Sequence, residues 1–456
     1  MTDDRQLNAR RHLWGHFTNL HATQRSGLPV ISRGEGAWIF DDTGRRYLDG
    51  LSGLFTVNIG HGRHELAEVA AHQAESLAYF PLWSFAHEPA IDLATRLADL
   101  APGDLNRVFF TSGGGEAVES AWKIAVQYFA AIGQPQRRQV VSRNYAYHGT
   151  TLGALSITGI PGIREPFEPL LPWALKAANT NRYRCGFCAQ QSACSLACAD
   201  DVERAIVEAG PDTVAMVIME PVQNAGGTLV PPSGYWERVR AICDHYGILL
   251  VSDEVICGFG RLGHWFGCER FGYQPDMITF AKGVTSGYAP LVGVIVSDRV
   301  AEPIIERDGQ ILLHGLTFGG HPVGCAVALA NIDLLENEEV LGSVRRNEPV
   351  FDDVMESLRD LPLVGDVRGC GYFRVIELVK DKETKQSFDA AESNWLLRDT
   401  LSPQIFSNGL FCRADDRADP VLVLAPTLVC GPDELRFIGD VLTDAIEYAA
   451  NEFARR

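Results

Sequence analysis

Short apolar runs through the middle of this 456-residue chain limit its fold more than any other feature. They are Val108-Phe109-Phe110, Gln139-Val140-Val141-Ser142, Val214 to Met219, Ile248 to Ser252, Met277 to Ala281 and Leu291 to Val296. Each is too short for a helix and apolar on successive residues, which suits a strand covered on both faces. Segments of helical spacing separate several of them; Val118, Ala121, Trp122, Ala125 and Phe129 form one such stripe. Buried strands alternating with helices predict an α/β fold around a mostly parallel sheet, whose ligands sit beyond the carboxyl ends of the strands.

The flanks read differently. The first 30 residues are polar and mixed. Trp38-Ile39-Phe40, Asp41 to Gly44 and Arg45 to Leu48 then read as strand, turn and strand. Residues 64–79 and 89–100 carry helical spacing. Beyond residue 335 lies an alternating stretch, Phe373 to Leu378. A final helix opens on Pro432, Asp433 and Glu434 and lines up Leu435, Ile438, Val441, Leu442, Ala445 and Ala449. We expect an N-terminal segment (1–60) to join a C-terminal α+β domain (335–456), packed on a large domain (61–334).

Charge excludes some functions. Lys and Arg total 40 against 58 Asp and Glu, a net charge of −18, which repels phosphate backbones and anionic lipid surfaces. We therefore expect neither nucleic acid nor membrane as partner. The start, Met1 to Arg5, lacks a basic-then-apolar leader, and the odd count of 11 cysteines suits reduced thiols. Both point to a cytoplasmic enzyme.

Four features carry chemistry. Thr111-Ser112-Gly113-Gly114-Gly115-Glu116 follows a strand and opens a helix, where free N–H groups and bare backbone make a cup for phosphate; a plain glycine turn is the alternative. Gly258 to Gly263 spells G-x-G-x-x-G, but no strand ends directly before it and no helix starts after it, so a dinucleotide site is rejected. Two buried runs end on Asp253 and Lys282. An acid and a lysine there form either a structural ion pair or a pyridoxal phosphate (PLP) site, with Lys282 as Schiff-base lysine and Asp253 facing the pyridinium nitrogen. Tyr147 sits in a loop after another strand, where it either packs or stacks on a planar cofactor.

Ser112 to Glu119, Tyr147-His148-Gly149, Glu220 to Gln223, Asp253 to Arg261, Ala281-Lys282-Gly283 and Thr317 to Pro322 occur in the order seen in class III aminotransferases. The chain resembles that family, most of all its ω-amino acid and amine:pyruvate branch. The resemblance implies PLP-dependent transferase fold type I with a seven-stranded-type sheet. It implies Lys282 and Asp253 as catalytic pair, and Gly114, Gly115, Tyr147, His148, Glu220, Val255, Thr317 and Phe318 as further cofactor-binding residues. Thr317 would serve the neighbouring subunit's cofactor, hence a homodimer or higher oligomer with shared sites. Arg413 matches the arginine that takes a substrate carboxylate, with Arg417 as a near alternative; Phe17, Phe55, Trp83 and Phe85 are expected pocket walls. Gly115 stands where many relatives have Ser, Phe55 where amine transaminases often have Trp, and Phe318 where Tyr is frequent. The implied reaction moves an amino group from an ω-amino acid, diamine or primary amine to a keto acid, pyruvate first. A decarboxylating transaminase or aminomutase on the same fold is the competing reading.

Cys185, Cys188, Cys194 and Cys198 lie within fourteen residues. Four thiolates so spaced suggest a structural zinc or an iron–sulfur centre, though more compact than common zinc patterns. A non-enzymatic metal-binding scaffold is the reading that gives this cluster the main role.

Overall fold

The structure, a computed structural model, describes residues 2–188, 193–309 and 311–456. Among them, seven strands form the central sheet: β1 (Leu105–Thr111), β2 (Gln139–Arg143), β3 (Ala174–Ala177), β4 (Val214–Met219), β5 (Leu249–Asp253), β6 (Met277–Phe280) and β7 (Val292–Ser297). Their spatial order is β1-β7-β6-β5-β4-β2-β3. Strand β7 runs antiparallel to β1 and β6, and the remaining neighbours pair in parallel. The sheet is thus mixed, with one reversed strand in an otherwise parallel set. Strand β3 has no apolar run to announce it: its Ala-Leu-Lys-Ala lies half-buried at the sheet edge.

The apolar runs are continuous because both faces are covered. In β4, Val217 and Met219 join one core while Met216 and Ile218 join the other. Helix α1 (Gly114–Ala131) packs Val118, Ala121, Trp122 and Ala125 on the second face. Helices α2 (Ala197–Ala209) and α3 (Tyr235–Tyr246) cover the first with Val202, Ile206, Trp236 and Val239. Residues facing α1 bury apolar area at roughly 25 cal/mol per Å², which is what fixes its first turn against the strand ends.

The ends of the chain meet. The hairpin of Trp38–Asp41 and Arg46–Asp49 is extended in parallel by Leu410–Phe411. A further sheet orders Val364–Cys370, Phe373–Leu378, Val421–Leu424 and, at its edge, Arg413–Asp415.

Two local features go beyond the sequence pattern. The first 30 residues hold helices Thr2–His12 and Leu20–Ser26. The alternating stretch Phe373–Leu378 is buried at every position, charged residues included. It tolerates this because Arg374 pairs with Asp352 at 2.6 Å, and Glu377 pairs with Arg184 and Arg368 at 2.5 and 2.6 Å. No helix among the described residues is long and apolar enough to cross a membrane.

Candidate active site

A cavity of about 540 Å³ opens beyond the carboxyl ends of the strands, lined by Gly114, Gly115, Tyr147, His148, Glu220, Asp253, Val255 and Lys282 among others. Strand β5 ends on Asp253. In the parallel register Asp253 lies opposite Thr279 of β6, and Lys282 comes just after that strand. The two candidate residues are 29 positions apart in sequence and reach one cavity because their strands are neighbours.

Asp253 is buried and held on both oxygens. Its Oδ1 accepts from the Thr279 hydroxyl at 3.1 Å and the Val255 amide at 3.2 Å, and its Oδ2 lies 2.7 Å from His148 Nδ1. His148 therefore touches Asp253 directly, through a 2.7 Å contact. Glu220 is buried too; burial pushes its carboxyl up, while its Oε2 accepts the Asn224 amide at 2.8 Å. Among the described residues, His148 Nε2 and Glu220 Oε1 have no hydrogen-bond partner.

Burial pulls the Lys282 amine down to about 8, against the opposing pull of the Asp253 and Glu220 charges. Its backbone sits in the left-handed region at φ +47, an arrangement that costs of order 1 kcal/mol and persists where surrounding structure enforces it. Its Nζ lies 5.8 Å from the centre of the Phe55 ring, which is buried against Phe373 and is not among the residues that line the cavity.

The glycines stand at the first turn of α1, whose leading N–H groups lack intrahelical partners. A Cβ on Gly115 would come within 3.0 Å of the Thr151 hydroxyl, which donates to Glu119 at 2.5 Å. Thr151 thus fills the space beside Gly115. Gly149, at φ +125, passes over the same point, and a Cβ there would meet the Gly115 Cα at 2.7 Å.

Several expected site residues lie elsewhere. Phe17, Trp83, Phe85 and Phe318 do not line this cavity; they are 58–67% exposed. They sit on loops outside the rim: Tyr79 donates to the Thr317 carbonyl at 2.8 Å and its ring lies 6.0 Å from that of Phe318. Thr317 is likewise exposed and absent from the lining. Phe17 instead faces Arg417, whose guanidinium carbon is 5.7 Å from the Phe17 ring and 5.7 Å from the Tyr147 ring. Arg413 pairs with Asp415 at 2.9 Å.

Residue reasoning overlooked Thr279, Thr151 and Asp415. Asp415 had a signal: residues two apart on a strand share a face, so Arg413 and Asp415 were bound to meet. Thr279 had none, since only strand register brings it to Asp253.

The G-x-G-x-x-G segment is structural. Gly260 and Gly263 take φ +96 and +78, and between them the buried Arg261 donates to the Tyr372 and Pro426 carbonyls, Ser52 Oγ and Asn58 Oδ1. It rivets this loop to both ends of the chain.

The metal expectation finds no support in the structure. Among the described residues no group of three or more His, Cys, Asp or Glu is arranged to hold a metal ion. Cys185 and Cys188 sulfurs are 3.3 Å apart, tighter than the roughly 3.8 Å that tetrahedral Zn–S bonds of ~2.3 Å require. The Arg182 guanidinium lies 2.8 Å from Cys188 Sγ, putting a protein cation beside that sulfur, and burial pushes the Cys198 thiol up to about 11. Residues 189–192 of this stretch lie outside the described residues.

The sequence profile described as Aminotransferase class-III matches residues 21–446. A probable aminotransferase, Rv3329 of Mycobacterium tuberculosis, is 55% identical over 439 residues, covering 96% of this chain and 93% of that protein. The putrescine–pyruvate aminotransferase of Pseudomonas aeruginosa is 37% identical over 436 residues, covering 95% and 94%. Among solved structures, an (S)-enantioselective omega-transaminase from Thermomicrobium roseum superimposes with a TM-score of 0.92 at 41% identity, covering 99% of this chain and 98% of that one.

Proposed function

The chain belongs to the class III aminotransferases, and on that premise we propose that it moves an amino group from an ω-amino acid, diamine or primary amine to pyruvate. The observation that carries this reading is the cavity shared by Lys282, Asp253 and the glycine turn of α1. PLP is the cofactor of this family. The residues fit it: an amine of lowered proton affinity for the aldehyde, a carboxylate for the ring nitrogen, a bare helix terminus for the phosphate, and Tyr147 and Val255 for the ring faces.

When bound, the cofactor supplies a carbonyl to hold the amine and an electron-poor ring to take up the electrons of the breaking Cα–H bond. Lys282 then acts as general base and acid. Burial keeps a large fraction of its amine neutral near pH 8, so it can take the Cα proton and return it. Asp253 presents its carboxylate in one orientation, set by Thr279, His148 and the Val255 amide. Gly114 and Gly115 offer backbone amides. Arg413 receives the carboxylate of the keto acid through its planar fork.

Similarity to a putrescine–pyruvate aminotransferase over 95% of the chain supports diamines among the donors. Exposed Trp83, Phe85 and Phe318 beside Thr317 support a homodimer in which those loops complete the other subunit's site. The large and small domains, divided near residues 60 and 334, would form the walls of each cavity.

A donor panel tests the reading. Purified protein loaded with PLP is given β-alanine, 4-aminobutyrate, putrescine or an aralkyl amine with pyruvate, and alanine is measured. Alanine should form with at least one donor. No alanine from any of them, with glutamate formed from 2-oxoglutarate instead, would remove the pyruvate assignment; no amino acid from either would remove the whole reading.

A further inference from the structure

We infer that Cys185 and Cys188 are a redox-active dithiol, a site where small-molecule disulfides such as oxidised glutathione are reduced as the two sulfurs close into an internal disulfide. The inference goes beyond the aminotransfer reading and does not depend on it.

Cys185-Gly186-Phe187-Cys188 forms a turn with an exposed tip: Gly186 and Phe187 are exposed, Cys185 is half-buried and Cys188 is buried. All four cysteines of the stretch are free thiols. The Cys185 and Cys188 sulfurs are 3.3 Å apart, and the Cys194 sulfur stands 3.9 Å from that of Cys188. A disulfide bond of about 2.05 Å needs the shorter gap to close by about 1.3 Å, which side-chain rotation on a turn can supply. Arg182 donates to the Cys188 sulfur at 2.8 Å and to its carbonyl at 3.0 Å. The hydrogen bond from Cys185, helped by the Arg182 charge, pulls the Cys188 thiol down, and a thiolate is the form that reacts. Elsewhere the opposite holds. Burial pushes up Cys198, in the first turn of α2, and all seven cysteines outside this stretch.

The chemistry balances as thiol–disulfide exchange. The more exposed Cys185 sulfur attacks one sulfur of the small disulfide, whose S–S bond breaks, and one small thiol leaves with a proton. The Cys188 sulfur then attacks the Cys185 sulfur of this mixed disulfide, and the second small thiol leaves with the other proton. Two electrons pass from the protein sulfurs to the small molecule. Next to Cys185, Arg184 pairs with Glu377 and Asp419 at 2.5 and 3.0 Å, which anchors the base of the turn while its tip meets solvent.

For the test, the PLP-loaded protein is equilibrated with mixtures of reduced and oxidised glutathione, quenched in acid, alkylated with N-ethylmaleimide and mapped by peptide mass. As the mixture becomes oxidising, two of the 11 thiols should escape alkylation, joined as Cys185–Cys188 with no glutathione attached. Cys188→Ser should stop at the mixed disulfide and keep glutathione on Cys185. Cys194→Ser should still form the Cys185–Cys188 link. All 11 thiols alkylated in the most oxidising mixture, a different pair joined, or glutathione retained on Cys185 of the unaltered protein would overturn the inference. So would bound zinc that shields all four thiols of the stretch. Should the variants not fold, the map of the unaltered protein decides alone. None of these readouts needs turnover, so failure of every amine donor would strike the aminotransfer reading and leave this one standing.

Discussion

At one end of the proposed site, Asp253 lines the cavity and is fixed by three groups from strand, loop and turn, while at the other Arg413 and Asp415, outside the residues that line the cavity, pair with each other and share Asp415 with Arg417. The first end stands on β5 and β6, buried strands inside the sheet. The second stands on a three-residue strand at the edge of a small sheet, partly open to water. Rigid support suits groups that must meet the same cofactor atoms in every turnover. An ion pair on a sheet edge suits groups that must change partners between two substrates. Under the proposed function, the contrast assigns the chemistry to the first end and substrate recognition to the second.

The largest expected effect would come from the rigid end. Lys282→Ala should cut kcat by at least about a thousandfold, because general base and covalent attachment are lost together. Circular dichroism and soluble yield would check that the fold survives; turnover within tenfold of the unaltered enzyme would break the comparison there.

The second test concerns proton affinity at the same end. Burial disfavours the charged ammonium, so the Lys282 amine becomes neutral as pH rises through about 8, below its usual 10.5. Reductive trapping of the cofactor-free protein with a small aldehyde, followed by peptide mapping, reads this out. Labelling at residue 282 should rise near pH 8, ahead of the surface lysines; a rise in step with them would refute the assigned environment.

Arg413→Ala tests the adjustable end. The KM for pyruvate should rise roughly ten- to a hundredfold with a smaller change in kcat, since binding rather than chemistry is lost. A collapse of kcat with KM unmoved would mean the two ends are not functionally separate. The smallest effect sharpens the rigid end: Thr279→Val removes one 3.1 Å hydrogen bond to Asp253 while keeping shape, and should lower kcat/KM by roughly three- to tenfold.

Much of this was legible from residues alone. Six of the seven central strands announced themselves, because a strand covered on both faces must be apolar throughout. Edge strand β3 did not, as half its surface is uncovered. Phe373–Leu378 alternates apolar with charged residues, yet is buried throughout because partners distant in sequence neutralise Arg374 and Glu377 in the interior. The four cysteines looked like a ligand set by spacing, whereas among the described residues no metal-holding group forms, the Cys185 and Cys188 sulfurs are 3.3 Å apart and Arg182 lies at Cys188. Phe17, Trp83 and Phe85 were chosen as pocket walls by residue type, and type does not say which side of a rim a loop takes.

By itself the amino-acid sequence determined where the sheet lies, that an acid and a lysine end two of its strands, and that a glycine turn opens a helix nearby. These are consequences of local pattern, since burial and backbone freedom act on neighbouring residues. Only the tertiary structure decided that Thr279 and His148 hold Asp253 and that one carboxylate serves both Arg413 and Arg417 beside Tyr147. Such contacts depend on strand register and on how distant segments pack, which no local rule encodes.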